Sequence, residues 1–131
     1  MKKFKKEVKK IVTELKEKKK KHIAKKKKHE DEINNTDGWR YVMCLELVES
    51  VTFSEISIEN INLILDALDG KLQSDILSRL KEMVAFCIYE FTDGRQIAKM
   101  TKYECAMFES HRSLYKGCTD IIKRLERANH V

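Results

Sequence analysis

The chain contains no proline, and among its 131 residues only four are glycine: Gly38, Gly70, Gly94 and Gly117. A fold of many short strands needs turn-forming residues at each reversal. This scarcity excludes such a fold and requires a few long helices with few connections. No continuous apolar run of signal-peptide length follows the basic N-terminus, so no targeting segment is expected. The longest apolar-rich stretch, Tyr41 to Val51, carries Glu46 and Glu49 and is too short and too polar to span a bilayer. Cysteine occurs only at Cys44, Cys87, Cys105 and Cys118. No two of these have the spacing of a zinc knuckle, and nothing marks the chain as secreted. They are expected as reduced, mostly buried thiols of a cytoplasmic protein.

What the chain has in abundance is charge, and it is unevenly placed. Charged residues make up 37% of the sequence, and the net charge is +6. Residues 1–29 hold fifteen lysines against Glu7, Glu14 and Glu17, a net of +12, so residues 30–131 carry a net of −6. The length suffices for one domain with a modest core. The expected organisation is a basic helical arm at 1–29, a linker at 30–38 rich in Asn, Asp and Gly, and an acidic helical bundle at 39–131.

Residues 2–28 read as one long helix, since lysine and glutamate are good helix formers and nothing interrupts them. Phe4, Val8, Ile11, Val12 and Leu15 recur every three or four positions and share a face. That stripe then gives way to Lys18 and Lys19, so the part from Lys18 to Lys28 is expected to repel itself and fray without a counter-ion or partner. In the body, the mostly apolar Trp39–Val51 stretch is expected to be the central helix. Thr52 with Glu55 matches a capping box that would begin a new element. Ile58, Ile61, Leu65 and Leu68 form a helical stripe ending at Gly70, and Leu72, Ile76, Leu80, Val84, Cys87 and Phe91 form another ending before Gly94. One or two helices are expected in 95–115 and a last one from about Thr119 to Ala128. The fold class is therefore all-α: a compact bundle of four or five helices preceded by a long lysine-rich N-terminal helix.

The lysine arm is the strongest functional signal. A dense row of ammonium groups neutralises phosphates and releases condensed counter-ions, giving binding with little sequence preference and strong salt dependence. The arm has no arginine for bidentate recognition and no aromatics interleaved for base stacking, Phe4 standing alone. The candidate contacts are Lys16, Lys18, Lys19, Lys20, Lys21, Lys25, Lys26, Lys27 and Lys28. A solvated tail or one docked on its own acidic body is the bland alternative. An interfacial helix on an anionic membrane, using the Phe4–Leu15 face, is disfavoured by the narrowness of that face. His22 and His29, seven residues apart within the lysines, share roughly one face.

Residues 94–115 resemble a helix-turn-helix, with Arg95 to Met100 as the first helix, Ala98 as the small packing residue, Thr101-Lys102-Tyr103 as the turn, and Tyr103 and Phe108 anchoring the second helix. The resemblance implies that Lys102, Glu104, Cys105, Glu109 and Arg112 lie nearest the groove and adds Arg95, Lys99, Lys102 and Arg112 to the candidate contacts. Lys102 stands where the motif usually has glycine, and Thr101 and His111 stand where it is usually apolar. These departures favour an ordinary helix corner.

Catalysis has almost no support: there is no phosphate-cradling glycine loop, no H-E-x-x-H and no G-x-S-x-G. Cys105 and His111 lack an orienting third group, and a metal held by Cys105, His111 and Cys118 would need them to converge through folding. Met83, Met100 and Met107 are read as core filler, and Trp39 and Tyr41 as core anchors. The richness in Lys, Ile and Asn fits an AT-rich genome, such as that of a phage or a low-GC bacterium. The expectation is a small non-enzymatic accessory or regulatory protein with no cofactor. It would bind DNA or RNA nonspecifically through the arm, while the body mediates oligomerisation or protein contact. The rival expectation is a protein-interaction module, an adaptor or inhibitor, whose arm is a docking helix.

Overall fold

In the computed structural model, residues 2–35, 41–91 and 102–129 are described, without the side chains of 41–44, 89–91 and 102–108. These residues form four helices and no strand: α1 (Lys2–Asn34), α2 (Tyr41–Leu68), α3 (Gln73–Phe91) and α4 (Lys102–Asn129). Trp39, Gly94, Arg95, Lys99 and Met100, and the side chains of Tyr41, Cys44, Lys102, Cys105 and Met107, lie outside the description.

α1 packs most extensively on α2, and α3 on α4. Phe4 lies near Leu68, and Lys26 meets Glu55, so α1 and α2 are antiparallel. The short Asp69–Leu72 connection makes α2 and α3 antiparallel as well. Asn60 donates to the Ser110 carbonyl at 3.2 Å, and Ile64 lies close to Gly117, so α4 runs parallel to α2. The order is up-down-up-down. α2 stops at Leu68, with the Asp69 amide donating to the Leu65 carbonyl at 3.1 Å. A Cβ at Gly70 would meet the Ile76 Cγ1 atom at 3.1 Å, so a larger residue in the turn between α2 and α3 would make the Ile76 side chain give way by a few tenths of an ångström. Asp75 in the first turn of α3 complements the positive end of that helix.

All four helices share one core. α4 contributes Leu114, Cys118, Ile121 and Leu125 at four-three-four spacing; α3 contributes Ile76, Leu80 and Cys87; α2 contributes Ile61, Ile64, Ala67 and Leu68. α1 contributes Phe4, Ile11 and Leu15, and Ile11 is among the most deeply buried side chains of the molecule, at 1% exposure. Met83 packs against this core from the half-buried shell. Cys87 and Cys118 are free, buried thiols. Burial pushes the Cys118 thiol up to about 12, with the Cys87 thiol adding to the rise. That state is unreactive.

Five sequence expectations are corrected. The arm is not a rod free of the globule, because its apolar stripe is buried in the common core. The Lys18–Lys28 part is helical, and α1 continues to Asn34, through the first half of the expected linker. Thr52 does not open a new element: it lies inside α2, and its hydroxyl bonds back to the Val48 carbonyl at 3.0 Å, as a mid-helix threonine does. Where it is described, the stretch up to Val51 is not deeply buried, since Leu45 and Val48 remain 44% and 47% exposed; the buried apolar side chains described in α2 run from Ile61 to Leu68. The expected last helix begins not near Thr119 but at Lys102.

If α1 is part of the core, Ile11→Ala lowers the unfolding free energy by about 2–5 kcal/mol, as cavity-forming core substitutions do. Urea denaturation followed by circular dichroism measures this. A change within about 0.5 kcal/mol, the range of a surface site, would show that α1 is an appendage.

Candidate nucleic-acid interface

The lysine surface is built by the rotation of α1 about its own axis, and that rotation is set by what the helix buries. The packed face begins with Phe4, Val8, Ile11 and Leu15 and does not stop there. It continues through Lys19, His22, Lys26, His29 and Ile33, all half-buried, at the same three-or-four-residue spacing. The lysine and histidine stems thus take over where the aliphatic residues end, burying methylenes while their polar tips reach outward.

The electrostatic clamp that fixes this rotation uses the minority charge of each partner. The Arg124 guanidinium of α4 donates from Nη1 to Glu14 Oε2 at 2.6 Å, from Nη2 to Glu14 Oε1 at 3.2 Å, and from Nε to Glu7 Oε1 at 3.0 Å. Nη2 also lies 2.9 Å from Glu7 Oε1. Glu7 and Glu14 are two helical turns apart, and one planar fork spans both, a geometry that lysine cannot supply. The hydrogen bonds from Arg124 hold the Glu14 carboxyl below the ordinary 4.5, despite some opposing desolvation, and Lys10 and Lys18 add to the effect. Reciprocally, Glu14 first and Glu7 second hold the Arg124 guanidinium above its ordinary value.

Thirteen of the fifteen α1 lysines are exposed, Lys19 and Lys26 being the half-buried pair. Of the candidate contacts, Lys16, Lys18, Lys20, Lys21, Lys25, Lys27 and Lys28 stand in solvent. Lys26 is turned to the body, 3.3 Å from Glu55 of α2 and 3.7 Å from Glu30. Lys20 lies 3.8 Å from Glu17 on its own helix, an exposed pair of small energetic weight. For the other seven candidate lysines of α1, no carboxylate lies within 4.0 Å among the described residues. His22 and His29 lie on the packed face, not the lysine face, and the buried Nδ1 of His29 has no hydrogen-bond partner among the described residues.

The second candidate set is only partly placed. Arg95 and Lys99 lie outside the described residues. Lys102 begins α4, and Arg112 is exposed on α4, 4.0 Å from Glu109. The residues expected as the second recognition helix belong to a helix of 28 residues that runs unbroken to Asn129, with Leu114 already in the core. His111 sits edge-on to Phe86, with ring centroids 5.6 Å apart. Among the described residues, no group of three His, Cys, Asp or Glu side chains could hold a metal ion, and no helix is long and apolar enough to cross a membrane.

Neither the family models, the curated proteins nor the solved structures provide a match to this chain.

Because the folded-state Glu14 carboxyl is depressed, its contribution to stability is present above the unfolded value of 4.5 and is lost as the pH falls through the depressed one. Wild type should therefore exceed Arg124→Gln in urea midpoint at pH 7, and the gap should close as the solution is acidified below 4.5 and Glu14 takes up its proton. A gap that stays constant with acidification would separate Arg124 from the Glu14 charge.

Proposed function

We propose that the protein is a small, non-enzymatic, nucleic-acid-associated protein that binds polyphosphate through the exposed lysines of its long N-terminal helix. The observation that carries this reading is the display of thirteen solvent-facing lysines along a helix whose opposite side is anchored in the core. Binding by such a surface is nonspecific, since ammonium groups contact phosphates as point charges and do not read bases. The membrane alternative loses its support, because Phe4, Ile11 and Leu15, the face that would enter a bilayer, are already buried.

A second observation favours a role for the body in protein contact. Phe53, Leu63, Phe86 and Ile88 are about half exposed. A groove of about 560 Å³ between α2, α3 and α4 is lined by Leu63, Ala67, Met83, Phe86 and Leu114, among others. Large apolar side chains grouped on a surface mark association sites. Phe86→Glu should shift the particle mass by light scattering toward the monomer if this surface joins two copies. An unchanged mass assigns it to a different protein or to none.

Truncation is a poor test of the lysine surface, because removing α1 takes Phe4, Ile11 and Leu15 out of the core. The test is a salt series on the full chain against a variant with Lys18, Lys21, Lys25 and Lys28 replaced by glutamine. Wild-type affinity for DNA or RNA should fall about a thousandfold between 50 and 200 mM salt if roughly six lysines engage phosphates, and the variant should show a salt slope shallower by about 3 to 4. Undetectable binding to every nucleic acid at low salt would leave the interaction-module reading.

A further inference from the structure

Over residues 16–31 the lysines of α1 are not spread evenly over its exposed side. At about 100° per residue, Lys16, Lys20 and Lys27 fall within about 40° of one another along one flank. Lys18, Lys21, Lys25 and Lys28 fall within about 80° along the other, and the two rows stand about 140° apart. Between them, pointing directly away from the buried Leu15, His22 and Ile33 side, runs a crest of Glu17, Ala24 and Asp31. Ala24 is the smallest of these and sits at the middle of the crest, exposed. Over this segment α1 therefore presents two cationic rails, with a crest between them that is lowest at Ala24.

From this geometry we infer that α1 seats lengthwise in the major groove of duplex DNA, with one lysine rail on each phosphate wall and Ala24 over the groove floor. The inference rests on the reading that the lysine surface binds polyphosphate and names the partner for it. An α-helix about 10–12 Å across fits a groove about 12 Å wide. A ridge of long side chains would hold the backbone off the floor, whereas alanine lets it approach. The Glu17–Asp31 window rises about 21 Å, the length of roughly six base pairs, which is as far as a straight helix follows the curving groove. Glu17 and Asp31 lie on the crest and so face base edges rather than phosphates, and Glu17 already has Lys20 beside it at 3.8 Å. Duplex RNA is a poor fit, because its major groove is deep and narrow. A single strand has one phosphate rail and engages one lysine row at a time.

The rotation that aims this crest outward is not adjustable. Ile11 and Leu15 in the core and the Arg124 clamp on Glu7 and Glu14 hold it. The body lies on the far side of α1 from the crest, so it does not block entry.

The experiment measures fluorescence anisotropy of a labelled 16-base-pair DNA duplex, the matching single strand, the RNA duplex and heparin with the full-length protein at fixed salt. Three variants are compared: Lys16, Lys20 and Lys27 to glutamine; Lys21, Lys25 and Lys28 to glutamine; and Ala24→Trp. All the altered positions are exposed, and circular dichroism confirms that each variant is folded. Each rail variant is expected to weaken duplex DNA binding tenfold or more. Ala24→Trp is expected to weaken duplex DNA binding tenfold or more while leaving heparin and single-strand affinity within twofold of wild type. Ala24→Trp binding duplex DNA like wild type, while the rail variants weaken every polyanion alike, overturns groove seating but leaves polyphosphate binding intact. An effect from one rail alone also overturns it. No binding of the wild type to any of the four probes overturns both.

Discussion

The structure depends on burying one stripe of α1 against the rest of the bundle. Left to itself, α1 is a poorly balanced helix. Lys2, Lys3, Lys5 and Lys6 crowd its positive end, Glu30, Asp31 and Glu32 crowd its negative end, and the lysines between repel their own neighbours one turn away. Helices of this kind persist in water through tertiary packing rather than through propensity. Here Phe4, Ile11 and Leu15 supply that packing, and Ile11 is buried almost as deeply as Leu80 of α3 and Leu125 of α4. The transfer of these side chains out of water, at about 1.5–3 kcal/mol each, offsets a repulsion distributed over many exposed charges that salt and water already screen.

The same burial divides α1 into two faces with separate tasks. One face is fixed to α2 and α4, and the other is thereby fixed toward solvent. A flexible lysine tail would offer its charges in any arrangement and would pay conformational entropy on binding. A helix held by its back offers them at set angles and gives up little more on contact, so it favours a ligand whose phosphates match that arrangement.

The helical class was legible from the absence of proline and the paucity of glycine, and most of the bundle's contact residues were legible from the stripes in α1, α2 and α3; Leu72, expected to open the α3 stripe, lies before that helix and is 61% exposed. Element ends were less so. Thr52 and Glu55 carry the chemistry of a helix start yet lie mid-helix, because the run on either side of them is continuous and the apolar pattern of α2 outweighs a local capping preference. The exposure of Leu45 and Val48 was illegible because apolar content says which residues gain from burial and not which have a neighbour to bury them. The docking of α1 was half legible. Its stripe was visible up to Leu15 and was lost at Lys19, because hydrophobic periodicity scores lysine and histidine as polar, whereas in the fold Lys19, His22 and Lys26 keep the spacing and lay their stems along the body. Arg124 was invisible as a clamp: its partners are more than a hundred residues away, and in the sequence it is one basic residue near the end of the last helix.

That clamp also explains why docking does not cancel the charge asymmetry. A basic helix laid on an acidic body would ordinarily pair lysines with the body's carboxylates and lose its attraction for phosphate. Here the contact runs the other way: Glu7 and Glu14, two of the three acids in the first 29 residues, meet Arg124, a base from the acidic body. Among the candidate lysines, Lys26 alone turns to a body carboxylate among the described residues, and it lies on the packed face. The contact therefore pairs two of the three acids of the first 29 residues with a base of the body and leaves most of the lysines unmatched by it. The exposed side of α1 thus keeps its excess of lysines, so packing preserves the electrostatic division that the composition first shows.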